Sequence, residues 1–237
     1  MTSAERLIVA FDHPDLAAAL RLANKLRGLL RYAKIGSILF TAEGPRAIER
    51  FRAKGFEVFL DLKFHDIPST VEKSCRAAAR HGVFMLTVHA GGDPAMLEAA
   101  AGGVLSESAR LKVQRPRIVG VTVLTSDRPR ARQATTRRVV ELARRAKRAG
   151  LDGVVASAQE AVAIRRELRR PFLLVCPGIR PASADRSDHR RVATPAAAIA
   201  GGADFLVVGR PITDADDPRA AAAKILEEIT QGADCAC

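Results

Sequence analysis

The chain has 237 residues, 48% of them hydrophobic and 27% charged, so it carries enough apolar material for one sizeable core and is too apolar to be disordered. Lys and Arg number 38 against 26 Asp and Glu, a formal net charge of +12, and 30 of those 38 cations are Arg while only eight are Lys. Such a balance points to an anionic partner and leaves open whether that partner is a nucleic acid or a small substrate. Along the chain, short apolar runs alternate with helix-like segments. Runs at 7–11, 32–35, 58–62 and 84–88 are followed by helical patterns over about 14–30, 45–54, 70–81 and 94–108. Runs at 118–124, 153–156, 172–176 and 205–208 are followed by patterns at 135–149, 159–168, 195–201 and 218–230. Several runs are continuous rather than alternating, as parallel strands covered on both faces require. Pro14, Pro45, Pro94, Pro195 and Pro218 stand at or near helix starts, and Gly55, Gly82 and Gly150 stand just past helix ends.

Eight strand–helix units in this length is about 30 residues per unit, the size of a βα repeat with short loops. The spacing predicts an α/β fold, a single-domain (β/α)8 TIM barrel over residues 1–237, with an open doubly wound sheet as the alternative. In such a barrel the chemistry sits where the strands end. Asp12 closes the first run and Lys34 lies at the end of the second. Asp61 and Lys63 close the third, with Asp66 just beyond, and His89 closes the fourth. Thr125 and Ser126 follow the fifth, Arg180 the seventh, and Gly209 with Arg210 the eighth.

The segment Asp61-Leu62-Lys63-Phe64-His65-Asp66-Ile67-Pro68 is the most informative. Asp61 and Lys63 are two apart, so in a regular strand their side chains share the barrel interior, where a charge is costly unless paired. Lys34 on a neighbouring strand extends them into a charged row. Taken alone the pattern reads first as a buried structural ion network; at the strand ends of a barrel, beside two other charged strand ends, it reads as catalytic. Near the end of the chain, Gly201-Gly202-Ala203-Asp204 leads into the last run, which closes on Gly209 and Arg210. Together with Pro177-Gly178-Ile179-Arg180 this pattern reads as a phosphate site, glycine backbone and guanidinium being suited to a tetrahedral anion.

These residues resemble the orotidine 5′-phosphate decarboxylase family over nearly the whole chain. The resemblance rests on Val9-Ala10-Phe11-Asp12, Lys34-Ile35-Gly36, Phe59 through Thr70, Leu124-Thr125-Ser126, Pro177 through Pro181 and Val208 through Ile212. It implies a decarboxylation without cofactor or metal, at C6 of a pyrimidine nucleotide. Lys63 would be the proton donor to the C6 carbanion, Asp61 would sit against the departing carboxylate, and Lys34 and Asp66 would complete the row. The resemblance further implies that Asp12 and Lys34 hold the ribose hydroxyls and that Thr125 and Ser126 face the base. Arg180, Gly209 and Arg210 would bind the 5′-phosphate. His189 in Asp188-His189-Arg190-Arg191 stands where the family usually has Gln in D-Q-x-R. Asp66, Ile67 and Thr70 would reach the neighbouring subunit's site, which implies a homodimer with shared active sites.

Two rival readings accompany this one. The first is a magnesium-dependent sugar-phosphate lyase or decarboxylase, because D-x-K-x-x-D is shared with such enzymes. The second is a nucleic-acid-binding protein, motivated by nine Lys or Arg between Arg128 and Arg148. Stacking aromatics are missing from that stretch, which argues against single-strand binding. The expected partners are therefore orotidine 5′-phosphate and a second copy of the chain, with no nucleic acid and no membrane. Cys75, Cys176, Cys235 and Cys237 make no disulfide framework, and the terminal C-x-C lacks a second pair at zinc-like spacing. No apolar stretch approaches the roughly 20 residues of a membrane helix, and the first run is too short for a signal peptide. A cytoplasmic protein is expected.

Overall fold

The computed structural model describes residues 1–124, 132–181 and 192–234. Eight parallel strands, β1 (Leu7–Ala10), β2 (Tyr32–Gly36), β3 (Glu57–Phe64), β4 (Met85–His89), β5 (Arg117–Val121), β6 (Gly153–Val155), β7 (Leu173–Cys176) and β8 (Phe205–Val208), close in sequence order into one barrel. The helices are α1 (Leu16–Leu26), α2 (Ser37–Glu43), α3 (Pro45–Ala53), α4 (Pro68–Arg80), α5 (Pro94–Leu111), α6 (Arg132–Arg148), α7 (Ala161–Glu167), α8 (Pro195–Ala200), α9 (Arg210–Thr213) and α10 (Pro218–Asp234). This is the (β/α)8 barrel that the spacing predicts, and the open sheet is ruled out by the β1–β8 pairing.

The strand alternation divides the core into two shells. Ile8, Tyr32, Phe59, Met85, Val119, Val175 and Phe205 point into the barrel. Their neighbours Leu7, Val9, Ala33, Ile35, Val58, Leu60, Leu86 and Val88 point outward, under the helices. At the N-terminal end of the strands the interior is plugged by Tyr32, Phe84 and Phe205, with ring centroids 4.5 to 6.0 Å apart. Asp204 belongs to this closed end, where its carboxylate takes hydrogen bonds from Arg165, Arg170 and the Leu174 N–H. It therefore anchors the entry to β8 and stands away from the end where the strands open.

Several boundaries differ from the sequence reading for identifiable reasons. The first helix starts at Leu16 because the Asp15 carboxylate caps the N–H groups of Ala17 and Ala18, and it stops at Leu26, two residues before Gly28 with φ +78°. The apolar run 118–124 overshoots β5, because Val123 and Leu124 are apolar as cavity lining and not as sheet. Two short helices, α2 and α9, lie in βα connections for which the sequence pattern predicts no helix. Gly44 at φ +60° separates α2 from α3. The pairing of β3 with β4 is irregular: Leu60 faces Leu86 and Phe64 faces Val88, so four steps on β3 match two on β4.

Candidate active site

The alternation that sends Tyr32, Phe59 and Met85 into the barrel sends Lys34, Asp61 and Thr87 to the same side two residues later, nearer the open end. The strand register brings Lys34 beside Ala10 and Asp61 beside Gly36. Four charged side chains then form one chain of contacts. Asp12 Oδ1 lies 2.9 Å from Lys34 Nζ, Lys34 Nζ lies 3.6 Å from Asp61 Oδ2, and Asp61 Oδ2 lies 2.9 Å from Lys63 Nζ. The signs alternate along the row. The inner pair is nearly shut off from solvent, with Lys34 and Asp61 side chains 10% and 13% exposed, while Asp12 and Lys63 at its ends are 47% and 37% exposed. Burial pushes the Asp61 carboxyl up. The ammonium groups of Lys34 and Lys63, with hydrogen bonds from Lys63 and Thr87, outweigh that and hold it below the usual carboxylate range.

Asp61 and Lys63 do meet, but not through the two-residue period of a regular strand. Lys63 sits at φ +52°, a left-handed conformation uncommon for a residue with a side chain, inside the β3 irregularity. Its N–H donates to Thr87 Oγ1 at 2.8 Å, and Thr87 Oγ1 donates to Asp61 Oδ1 at 3.0 Å. Neither Thr87 nor Gly36 was singled out from the sequence as a site residue. A Cβ on Gly36 would fall 2.8 Å from Asp12 Oδ1 and 2.9 Å from Lys34 Nζ. Glycine there leaves room for the Asp12–Lys34 contact. The available signal was its place at the end of the Lys34-Ile35-Gly36 run.

The row forms one wall of a cavity of about 330 Å³, a volume in the range of small-molecule sites. Ala10, Phe59, Val121, Val155 and Val207 give it an apolar interior, and Arg180, Gly178, Gly209 and Arg210 lie on its lining as well. Burial and the neighbouring charge of Arg210 pull the Arg180 pKa down, with Asp214 partly opposing them. Two guanidinium groups near enough to repel each other in one cavity make a place for an anion. Gly209 caps α9, its carbonyl accepting from the N–H groups of Ile212 and Thr213.

The structure thus brings together Asp12, Lys34, Asp61, Lys63, Arg180, Gly209 and Arg210. Asp66, Ile67 and Thr70 do not line the cavity of their own chain. They are exposed between the end of β3 and the first turn of α4, Ile67 to 63%, and Asp66 Oδ1 accepts from the Ile67 N–H at 2.6 Å. Within one chain the charged row therefore ends at Lys63. His65 and His89 stack against each other with ring centroids 5.3 Å apart. Thr125, Ser126 and His189 lie outside the described residues, as do Cys235 and Cys237. Among the described residues no three His, Cys, Asp or Glu side chains are grouped to hold a metal ion.

Comparison with known proteins agrees across the chain. The family described as "Orotidine 5'-phosphate decarboxylase / HUMPS family" matches residues 5–225. The chain is 49% identical over 236 residues to an orotidine 5′-phosphate decarboxylase of Moorella thermoacetica, covering 97% of this chain and 94% of that protein. It is 50% identical over 230 residues to the enzyme of the same name from Halorhodospira halophila, covering 94% and 95%. Among solved structures, the orotidine 5′-phosphate decarboxylase of Lactobacillus acidophilus superposes with a TM-score of 0.82 at 35% identity, covering 95% of this chain and 99% of that one.

Proposed function

The chain belongs to the orotidine 5′-phosphate decarboxylase / HUMPS family, and from that premise we propose how its cavity does the chemistry. Its activity is the decarboxylation of orotidine 5′-phosphate to UMP and CO2, a carboxy-lyase step of pyrimidine biosynthesis. The observation that carries the mechanism is the alternating row Asp12–Lys34–Asp61–Lys63 in a cavity that also holds the Arg180 and Arg210 guanidinium groups.

The two arginines bind the 5′-phosphate and Asp12 and Lys34 bind the ribose hydroxyls, while His189 at the phosphate and Thr125 and Ser126 at the base keep the roles that the family resemblance implies. Asp61 lies against the substrate carboxylate and Lys63 against C6. The bond from C6 to the carboxyl carbon breaks, CO2 leaves without the electron pair, and the pair stays on C6. The Lys63 ammonium stabilises that carbanion and then transfers a proton to it, giving UMP and a neutral amine that regains its proton from water. Charges held in place before the reaction need no reorganisation as the carbanion forms. Repulsion between Asp61 and the substrate carboxylate is relieved as CO2 forms, a smaller contribution to the rate. No metal and no organic cofactor enters this mechanism.

Asp66, Ile67 and Thr70 complete the cavity of a second subunit in a homodimer. Their exposure, and their position outside the cavity of their own chain, support this assignment. The reading includes no nucleic acid and no membrane. Arg138 and Arg144 pair with Glu141 and Glu167, as on a solvated helix face, and no described helix is long and apolar enough to cross a membrane. A cytoplasmic setting accords with the buried free thiols of Cys75 and Cys176.

Mixed dimers test the activity and the sharing together, in buffer containing EDTA. Lys63→Ala and Asp66→Asn proteins, each nearly inactive alone, are dissociated, mixed in equal amounts and reassociated. A heterodimer then carries one doubly altered and one intact site. At random assortment about a quarter of wild-type activity returns. No recovery from a mixture proven to contain heterodimers would remove the shared site.

A further inference from the structure

We propose that Thr87 is a positioning residue for the decarboxylation, one hydroxyl that fixes both the Asp61 carboxylate and the backbone from which Lys63 projects. The inference rests on the reading of the charged row given above. Thr87 lies in β4 and is fully buried. Its Oγ1 accepts the Lys63 N–H at 2.8 Å and donates to Asp61 Oδ1 at 3.0 Å.

The directions of these bonds are forced. A backbone N–H only donates and an ionised carboxylate only accepts, so the single hydroxyl proton points to Asp61. The consequences fall on both catalytic groups. Lys63 leaves the regular ladder in the β3 irregularity at φ +52°, and the Thr87 hydroxyl satisfies the N–H that this geometry takes from β4. Asp61 Oδ1 is committed to Thr87, which leaves Oδ2 to face the Lys63 ammonium at 2.9 Å and the Lys34 ammonium at 3.6 Å. The orientation of the carboxylate, and with it the alternation of the row, is thus set from β4, a strand that contributes no charge to it.

Valine has nearly the shape of threonine and no hydroxyl, so Thr87→Val leaves the Lys63 N–H and Asp61 Oδ1 without this partner while keeping the packing. Serine keeps the hydroxyl and loses only a methyl. The expected result for Thr87→Val is a kcat about thirtyfold below wild type with KM for orotidine 5′-phosphate within about threefold, because the phosphate-binding arginines are untouched. Thr87→Ser keeps kcat within about threefold of wild type. Exchange of the C6 hydrogen of UMP for deuterium in D2O, which engages Lys63 without loss of CO2, slows in Thr87→Val by a similar factor. Thr87→Ala gives the same comparison if Thr87→Val does not accumulate as folded protein. Wild-type kcat in a folded Thr87→Val protein, or an equal loss in folded Thr87→Ser and Thr87→Val, overturns the positioning role. Absence of decarboxylation by the wild-type protein would instead overturn the reading of the site.

Discussion

Replacing Lys63 by Ala lowers kcat/KM for orotidine 5′-phosphate by about four orders of magnitude or more, while the barrel stays folded. Two losses combine in this result. The carbanion at C6 loses the cation beside it, and it loses the group that protonates it. Stability changes little, because the Lys63 side chain is 37% exposed and belongs to neither shell of the core. Steady-state assays beside thermal melts check both halves of the expectation. A variant that keeps even a tenth of wild-type kcat/KM contradicts the assignment of Lys63 as proton donor.

Asp61→Asn is the second large effect, with a fall in kcat of about a thousandfold. The amide is close in shape to the carboxylate but carries no charge. Lys34 keeps Asp12 as its counterion, whereas Lys63 loses the carboxylate that aims it. Folding stability at neutral pH drops by about 1–3 kcal/mol, less than the roughly 3–5 kcal/mol for breaking a fully buried pair, because Lys63 can turn to water. The pH dependence has a definite sign. Asp61 is held below its ordinary value of 3.8 in the folded protein. Its ionisation therefore contributes stability in full above about pH 4, and that contribution is lost as pH falls through 3.8 and below. Wild type should lose stability more steeply than Asp61→Asn over that acid window, so the two denaturation curves converge toward low pH. Parallel curves would mean that Asp61 titrates in the folded protein as it does in the unfolded one.

The sequence made the barrel legible because each strand is a short apolar run and each connection carries its own punctuation. Pro45, Pro94 and Pro218 do begin helices, and Gly55, Gly82 and Gly150 do follow helix ends with positive φ. Charges at strand ends were legible for the same reason: Lys34 and Asp61 interrupt runs that are otherwise apolar. What remained hidden depends on register and backbone geometry. A strand irregularity has no periodic signature, so the left-handed Lys63 could not be read from a two-residue spacing. Thr87 looks like any polar residue in a strand until the β3–β4 pairing brings it under Asp61 and Lys63. Gly36 gains its meaning only when Asp12 and Lys34 converge on the space a Cβ would occupy. Leu124 was misassigned to a strand because cavity lining and sheet interior are equally apolar.

The excess of Arg also takes its place. The charged groups of the row are two cations and two anions, Lys34 and Lys63 against Asp12 and Asp61. Much of the remaining positive charge lies on outer helices such as α6, whose last turn alone carries Arg145, Lys147 and Arg148. At low ionic strength that excess favours approach of a substrate bearing both phosphate and carboxylate, and salt screens the effect.

In the proposed mechanism Lys63 serves C6 while Arg180 and Arg210, on the lining of the same cavity, hold the phosphate. A crystal structure with a uridine 5′-phosphate analogue carrying an anionic oxygen at C6 tests it most directly. The expected result is Lys63 Nζ within hydrogen-bond distance of that oxygen, the phosphate on Arg180 and Arg210, and Asp66 arriving from the partner subunit. A phosphate bound at Lys34 and Lys63, with the C6 oxygen facing the arginines, would contradict it.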